Sequence, residues 1–166
     1  RAYTYRRRSL SALKQDLDPD RLCTDHETVE LANTDLHLDL AEFRSLLATA
    51  TTQPKDTIDS KAELLRTATA LYRDDFMAGF TLPDCPEFDE WQFFQRQELG
   101  HQLGAALADL IDLHVERDEI DQAIPFARNQ LALDPYDESA HRSLMRLYAW
   151  AGQWAAARRQ FDACTQ

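Results

Sequence analysis

Apolar residues recur at spacings of three and four through most of this chain, so helices are the dominant expectation. Leu10, Leu13 and Leu17 form such a stripe and predict a helix over residues 2–17. Asp18-Pro19-Asp20 should end it, because the residue before proline avoids the helical region. The pattern then changes. Leu22-Cys23-Thr24 and Thr28-Val29-Glu30-Leu31 flank a polar Asp25-His26-Glu27 turn. In the second run apolar and polar residues alternate, as in a half-buried strand, so a small hairpin is expected. Asn33 to Leu38 reads as a linker.

From residue 39 the helical period returns. Asp39 with Glu42 three residues on has the spacing of a capping box. The helix it opens carries Leu40, Phe43, Leu46 and Leu47, and fades between Thr49 and Pro54. A second helix is predicted from about Asp59 to Phe76, with Ala62, Leu65, Ala68, Leu71 and Tyr72 on one side. The apolar loop Met77 to Pro83 is expected to tuck into the core. Cys85-Pro86 then starts the longest helix, Glu87 to about Arg117. Its predicted buried stripe runs through Trp91, Phe94, Leu99, Leu103, Leu107, Leu110 and His114. Gly100 and Gly104 interrupt it, each at a cost of about 1 kcal/mol relative to Ala. Close approach of a neighbouring helix would account for both.

A 34-residue period organises the C-terminal part. Leu110, His114, Ala123 and Ala127 recur as Leu144, Tyr148, Ala157 and Phe161. Ala123 and Ala127 are four apart, share a helix face and permit close packing. Gly152 suits the left-handed turn between the two helices of the second copy. Asp134 is expected as an N-cap with Pro135 at the first helical position, and Asp137 and Glu138 near the dipole's positive end. Pro125 should fall early in its helix, where a missing donor matters least. Thirty-four is the period of the tetratricopeptide helical hairpin. Such repeats stack and display surfaces, which points to an interaction module.

Composition bounds the rest. The 166 residues are 44% hydrophobic with 4 glycines and 6 prolines, which suits one or two small helical domains. No apolar run is long enough to cross a membrane. The first residue is Arg and no secretory signal precedes the helices, so the chain is expected to be a segment of a longer protein. Three cysteines, Cys23, Cys85 and Cys164, lack close pairing and imply reduced thiols in a cytoplasm. Net charge is −11. Residues 1–21 carry six cations and three acids, giving +3, so the remainder carries −14. A polyanion would therefore meet only the basic head.

Catalytic chemistry finds no support. There is no Gly-rich phosphate loop, no GxSxG, no HExxH and no calcium loop, and no CxxC for a metal. The five histidines are scattered, and His114, aligned with Tyr148, is expected to pack between helices. Acid pairs fall at predicted helix ends, where the dipole explains them. Trp150 and Trp154 flank the Gly152 turn and are expected in the core rather than in an exposed aromatic patch. No enzyme activity, cofactor or metal is expected.

A basic helix followed by a hairpin has the order of the recognition helix and wing of a winged helix. Arg6, Arg7, Arg8, Lys14 and His26 are then the candidate DNA contacts; the alternative is that Arg6 to Arg8 are a solvated helix face. The expected fold is mostly α: tetratricopeptide-like hairpins preceded by the recognition helix and small β-hairpin of a truncated winged helix. Residues 1–37 would be the end of that DNA-binding domain, and 38–166 a helical domain.

Residues 39 to 166 also resemble the bacterial transcriptional activator domain of SARP-type regulators. The resemblance rests on Leu38-Asp39-Leu40 with Phe43, on Leu71-Tyr72-Arg73-Asp74-Asp75-Phe76-Met77-Ala78-Gly79, and on Trp91 with Arg96 and Leu99. Its most specific part is Leu133 to Tyr148 with Ala151-Gly152-Gln153. Upstream, Leu10 to Leu17 resembles the end of that family's recognition helix, and Leu22 to Leu31 its wing. The resemblance implies a bacterial DNA-binding activator. Its partners would be promoter DNA, RNA polymerase and a second copy of the chain, and the helical half would serve protein interaction. The competing reading is a tetratricopeptide scaffold that grips a peptide and has no connection with DNA.

Overall fold

The computed structural model describes residues 2–16, 22–25, 28–32, 36–53 and 58–165. The chain divides into two compact units, Arg1–Leu38 and Asp39–Gln166. The first contains helix α1 (Ala2–Asp16) and strands β1 (Leu22–Thr24) and β2 (Val29–Leu31). The strands pair antiparallel, with Leu22 opposite Leu31, Cys23 opposite Glu30 and Thr24 opposite Val29. Asp25 closes the turn. Its carboxylate accepts from the Thr28 amide and, at 2.9 Å, from the Thr28 hydroxyl. The expected half-burial of β2 is not found. Leu22 is buried, but Val29 and Leu31 are nearly half exposed. A two-stranded ribbon has too little surface to cover both faces, and in this one β1 alone contributes a buried residue.

The second unit is helical: α2 (Asp39–Thr52), α3 (Ile58–Leu71), α4 (Pro86–Glu116), α5 (Ile120–Leu133), α6 (Glu138–Trp150) and α7 (Trp154–Cys164). Each helix packs on the next. The buried residues are those at three-and-four spacing: Phe43 and Ala50 on α2, Ala62, Leu65 and Ala68 on α3, and Leu99 to His114 on α4. Phe126 touches all three hydrophobic clusters and joins them.

The 34-residue period reappears in the backbone hydrogen bonds. Glu119 donates to the His114 carbonyl at 2.9 Å, and Gln153 to that of Tyr148 at 2.8 Å. Asp118 donates to Val115 and Gly152 to Ala149, both at 3.0 Å. Both turns need one left-handed residue, Asp118 at φ 59° and Gly152 at φ 71°. Glycine meets that need without a Cβ penalty; aspartate is among the few other residues that tolerate it. Repetition stops at the surface. Ala127 is buried beneath α6, whereas its counterpart Phe161 on α7 is exposed, because among the described residues no further helix packs on that face.

Several expectations need correction. Helix α3 ends at Leu71, not Phe76, and a turn follows in which Asp74 accepts from the Asp75 amide at 2.8 Å. The loop after it does not tuck in: Met77, Phe80 and Leu82 are exposed. Its carbonyls are held instead by Gln92, which donates to Met77 at 3.0 Å and to Phe80 at 3.2 Å. Trp91 and Phe94 are exposed rather than in the α4 stripe. Length explains this: α4 has 31 residues, about 46 Å, while α5 has 14, about 21 Å, and covers only its C-terminal half. A Cβ built at Gly100 or Gly104 would meet nothing within 4 Å, so no close helix contact explains either. The N-cap of α6 is Asp137, which accepts from Ser139 and Ala140; Asp134 caps the end of α5. Pro125 lies sixth in α5, past the free donors of the first turn, and forfeits one helical hydrogen bond.

Candidate functional site

In the first unit, the charge of α1 is arranged with its dipole only at one end. Its first turn carries no acid, and its last turn carries Lys14, where a cation is favoured. Arg8 and Lys14 are exposed. Lys14 donates to the Thr24 hydroxyl at 3.3 Å and so ties the helix to strand β1. Arg6 and Arg7 are placed only as backbone positions of α1, and His26 lies outside the described residues. Among the described side chains of the five candidates, Lys14 is the one with a contact on the hairpin.

Among the described residues, the second unit has at least two open cavities. The first, of about 450 Å³, lies where the start of α2 meets the turn after α3. Phe43 and Leu99 form its floor, and Asp39, Asp74 and Asp75 its rim. Tyr72 bonds Asp75 there at 3.3 Å. Burial and then the neighbouring Asp75 charge hold the Tyr72 phenol above its ordinary pKa. The second cavity, of about 500 Å³, is a groove between α3 and α5 with Leu103 and Leu107 of α4 at its base. Arg66 of α3 and Arg73, two residues past the end of that helix, line one wall, and Asn129 of α5 lines the other.

The histidines of α4 and α6 that are buried are structural, as expected of His114. His114 stacks on Phe126 at 5.5 Å and donates through Nδ1 to Glu119 at 2.7 Å. Its Nε2 has no hydrogen-bond partner among the described residues. His141 uses both ring nitrogens: Nε2 donates to the Pro135 carbonyl at 3.0 Å, and Nδ1 accepts from Gln160 at 2.6 Å. Among the described residues no group of three potential ligands could hold a metal ion. Trp150 and Trp154, expected in the core, are exposed, and Arg146 lies 6.0 Å over the Trp150 ring.

Sequence reasoning missed Gln92, Arg73 and the capping role of Asp137. Asp137 carries a signal: an Asp followed by Glu-Ser-Ala at the head of an apolar period. Gln92 and Arg73 carry none, since their partners and surroundings are remote in sequence.

The second unit is thus a stack of helices, each packed on the next. A family model, the bacterial transcriptional activator domain, matches residues 38–166. The chain belongs to that family, which makes it a transcription-regulator domain rather than a member of an enzyme family. Among curated proteins none matches it. No helix among the described residues is long and apolar enough to cross a membrane.

Proposed function

We propose that this chain is the helical, protein-interacting part of a SARP-type DNA-binding transcription activator, joined at residues 37 and 38 to the end of a winged helix. The observation that carries the reading is the family match over residues 38–166. The order of α1 and the β1–β2 hairpin supports the rest, with α1 as recognition helix and the hairpin as wing. Arg6, Arg7, Arg8, Lys14 and His26 are the proposed DNA contacts. Lys14 reaches Thr24 in this structure, so it would position the wing as well as meet phosphate. The partners are promoter DNA, RNA polymerase and a second copy of the chain, in the cytoplasm.

The test is duplex DNA binding, followed by fluorescence anisotropy between about 50 and 200 mM salt, with promoter sequence and a chain that carries the whole DNA-binding domain. A steep fall of affinity with salt is expected. Changing Arg6, Arg7 and Arg8 to Ala should weaken binding and flatten the salt slope by about one unit for each arginine that meets a phosphate. Unchanged binding would remove the three arginines from the interface. If the wild-type chain binds no DNA, the second reading takes over: a tetratricopeptide scaffold for peptides. The observation that favours it is the hydrogen-bond pattern repeated at 34 residues.

A further inference from the structure

The groove between α3 and α5 carries a charge opposite to that of the unit around it. Residues 39–166 hold 12 Lys and Arg against 22 Asp and Glu, a net charge of −10. Yet Arg66 and Arg73 line the groove, and no Asp or Glu does among the described residues. Arg66 is partly engaged by Glu63 on its own helix, at 2.7 Å. Arg73 is exposed and has no ion-pair partner among the described residues. The base is apolar. Leu103 and Leu107 are buried beneath it, and Leu133 at the α5 rim is 39% exposed. Its volume of about 500 Å³ falls in the range of ligand pockets and would hold two or three side chains.

We propose that this groove docks a short peptide segment of a partner protein, one that carries acidic residues beside an apolar anchor. The anchor would lie above Leu103 and Leu107 and cover the exposed Ala70, Ala132 and Leu133, where apolar burial supplies the affinity. The acidic groups would pair with Arg73 and Arg66, whose planar guanidinium groups can each take a carboxylate through two parallel hydrogen bonds. Asn129 faces them from α5 and can both donate to and accept from peptide backbone. The unit's net charge of −10 gives an acidic segment no long-range attraction to the unit as a whole, so the local pairing with Arg66 and Arg73 is what sets where the segment lands.

This inference rests on the helical unit being the protein-interacting half, and its test needs no DNA, so either can fail alone. The 166-residue chain would be panned against a random library of twelve-residue peptides displayed on phage. Enriched peptides would then be synthesised and their binding measured by fluorescence polarisation. The expected peptides combine Asp or Glu with Leu or Phe. Their affinity should fall at least tenfold in Arg73→Glu and in Ala70→Trp, which fills the groove from α3. Arg158→Glu on α7 should leave it unchanged, and circular dichroism should show all three variants folded. No enrichment, enrichment of basic peptides, or equal binding to Ala70→Trp would overturn the proposal. So would a concentration-dependent dimer that Ala70→Trp abolishes, which would assign the groove to a second copy.

Discussion

At the scale of single residues, the two interior glycines of α4 and the turn glycine should respond in opposite directions. Gly100 and Gly104 have helical backbone and open space where a Cβ would go. Gly100→Ala and Gly104→Ala are each expected to stabilise the chain by about 0.5–1 kcal/mol, raising the melting temperature by a few degrees. Gly152→Ala meets no clash either, but its φ of 71° is strained for any residue with a Cβ. It should cost about 1–2 kcal/mol by the same melting measurement. The cap residue Asp137 gives a second test. Hydrogen bonds from Ser139, and then from Ala140, hold its carboxyl below the ordinary value of 3.8. A carboxyl lowered in the folded state contributes stability above its unfolded pKa, and that stability disappears as pH falls through the folded value. Asp137→Ala should therefore cost about 1 kcal/mol at neutral pH. Chemical denaturation should show the difference from wild type shrinking below about pH 4. Tyr72 behaves in the other sense. Its raised pKa favours the neutral folded form, so its contribution is complete below pH 10 and fades as pH rises through the folded value. Absorbance of the phenolate should show a titration midpoint above 10, moved back down in Asp75→Asn.

At the scale of elements, the informative piece is the loop between α3 and α4. Three of its apolar side chains face solvent, so burial does not hold it. One side chain, Gln92, satisfies two of its carbonyls from within α4 and is itself 7% exposed. An edge-on Phe76–Trp91 pair at 5.6 Å and a Phe80–Phe88 pair at 5.6 Å add weaker ties. Gln92→Ala removes the donor that both carbonyls share. Hydrogen exchange at Ala78 and Phe80 should rise by at least tenfold, while exchange in the α4–α6 core around Leu110 and Leu144 should not change. Equal protection in the variant would show that the aromatic pairs alone fix the loop. The repeat turns differ in kind: each is closed by backbone bonds common to both copies, so side-chain changes there that keep the left-handed residue should have small effects, except at Glu119, whose carboxylate accepts from the buried His114.

At the scale of the whole helical unit, the core is a continuous series of helix contacts rather than one centre. Leu110 and Leu144, one repeat apart, are both almost wholly buried but sit in different clusters. Leu110→Ala and Leu144→Ala should each cost about 2–5 kcal/mol. Both should shift a single denaturation transition if α2–α7 unfold together. Two transitions, each moved by one variant, would show that the stack breaks into smaller cooperative units.

The helices, their order, the hairpin and the 34-residue register are all legible in the linear chain. They depend on local spacing: three-and-four periodicity, proline and glycine punctuation, and a turn that must be left-handed at one residue. The same patterns misjudge which apolar residues are covered. Trp91, Phe94, Trp150, Trp154 and Phe161 all lie on helical periods, but burial requires a neighbour, and α4 outruns α5 while no described helix other than α6 packs closely on α7. The groove is equally invisible in the sequence. Arg66 and Arg73 stand among ordinary solvent-facing residues at the end of α3, and the packing of α3 and α5 over Leu103 and Leu107 is what sets them above an apolar base. Charge along a linear chain is a sum; the folded arrangement of the helices fixes which cations share a groove.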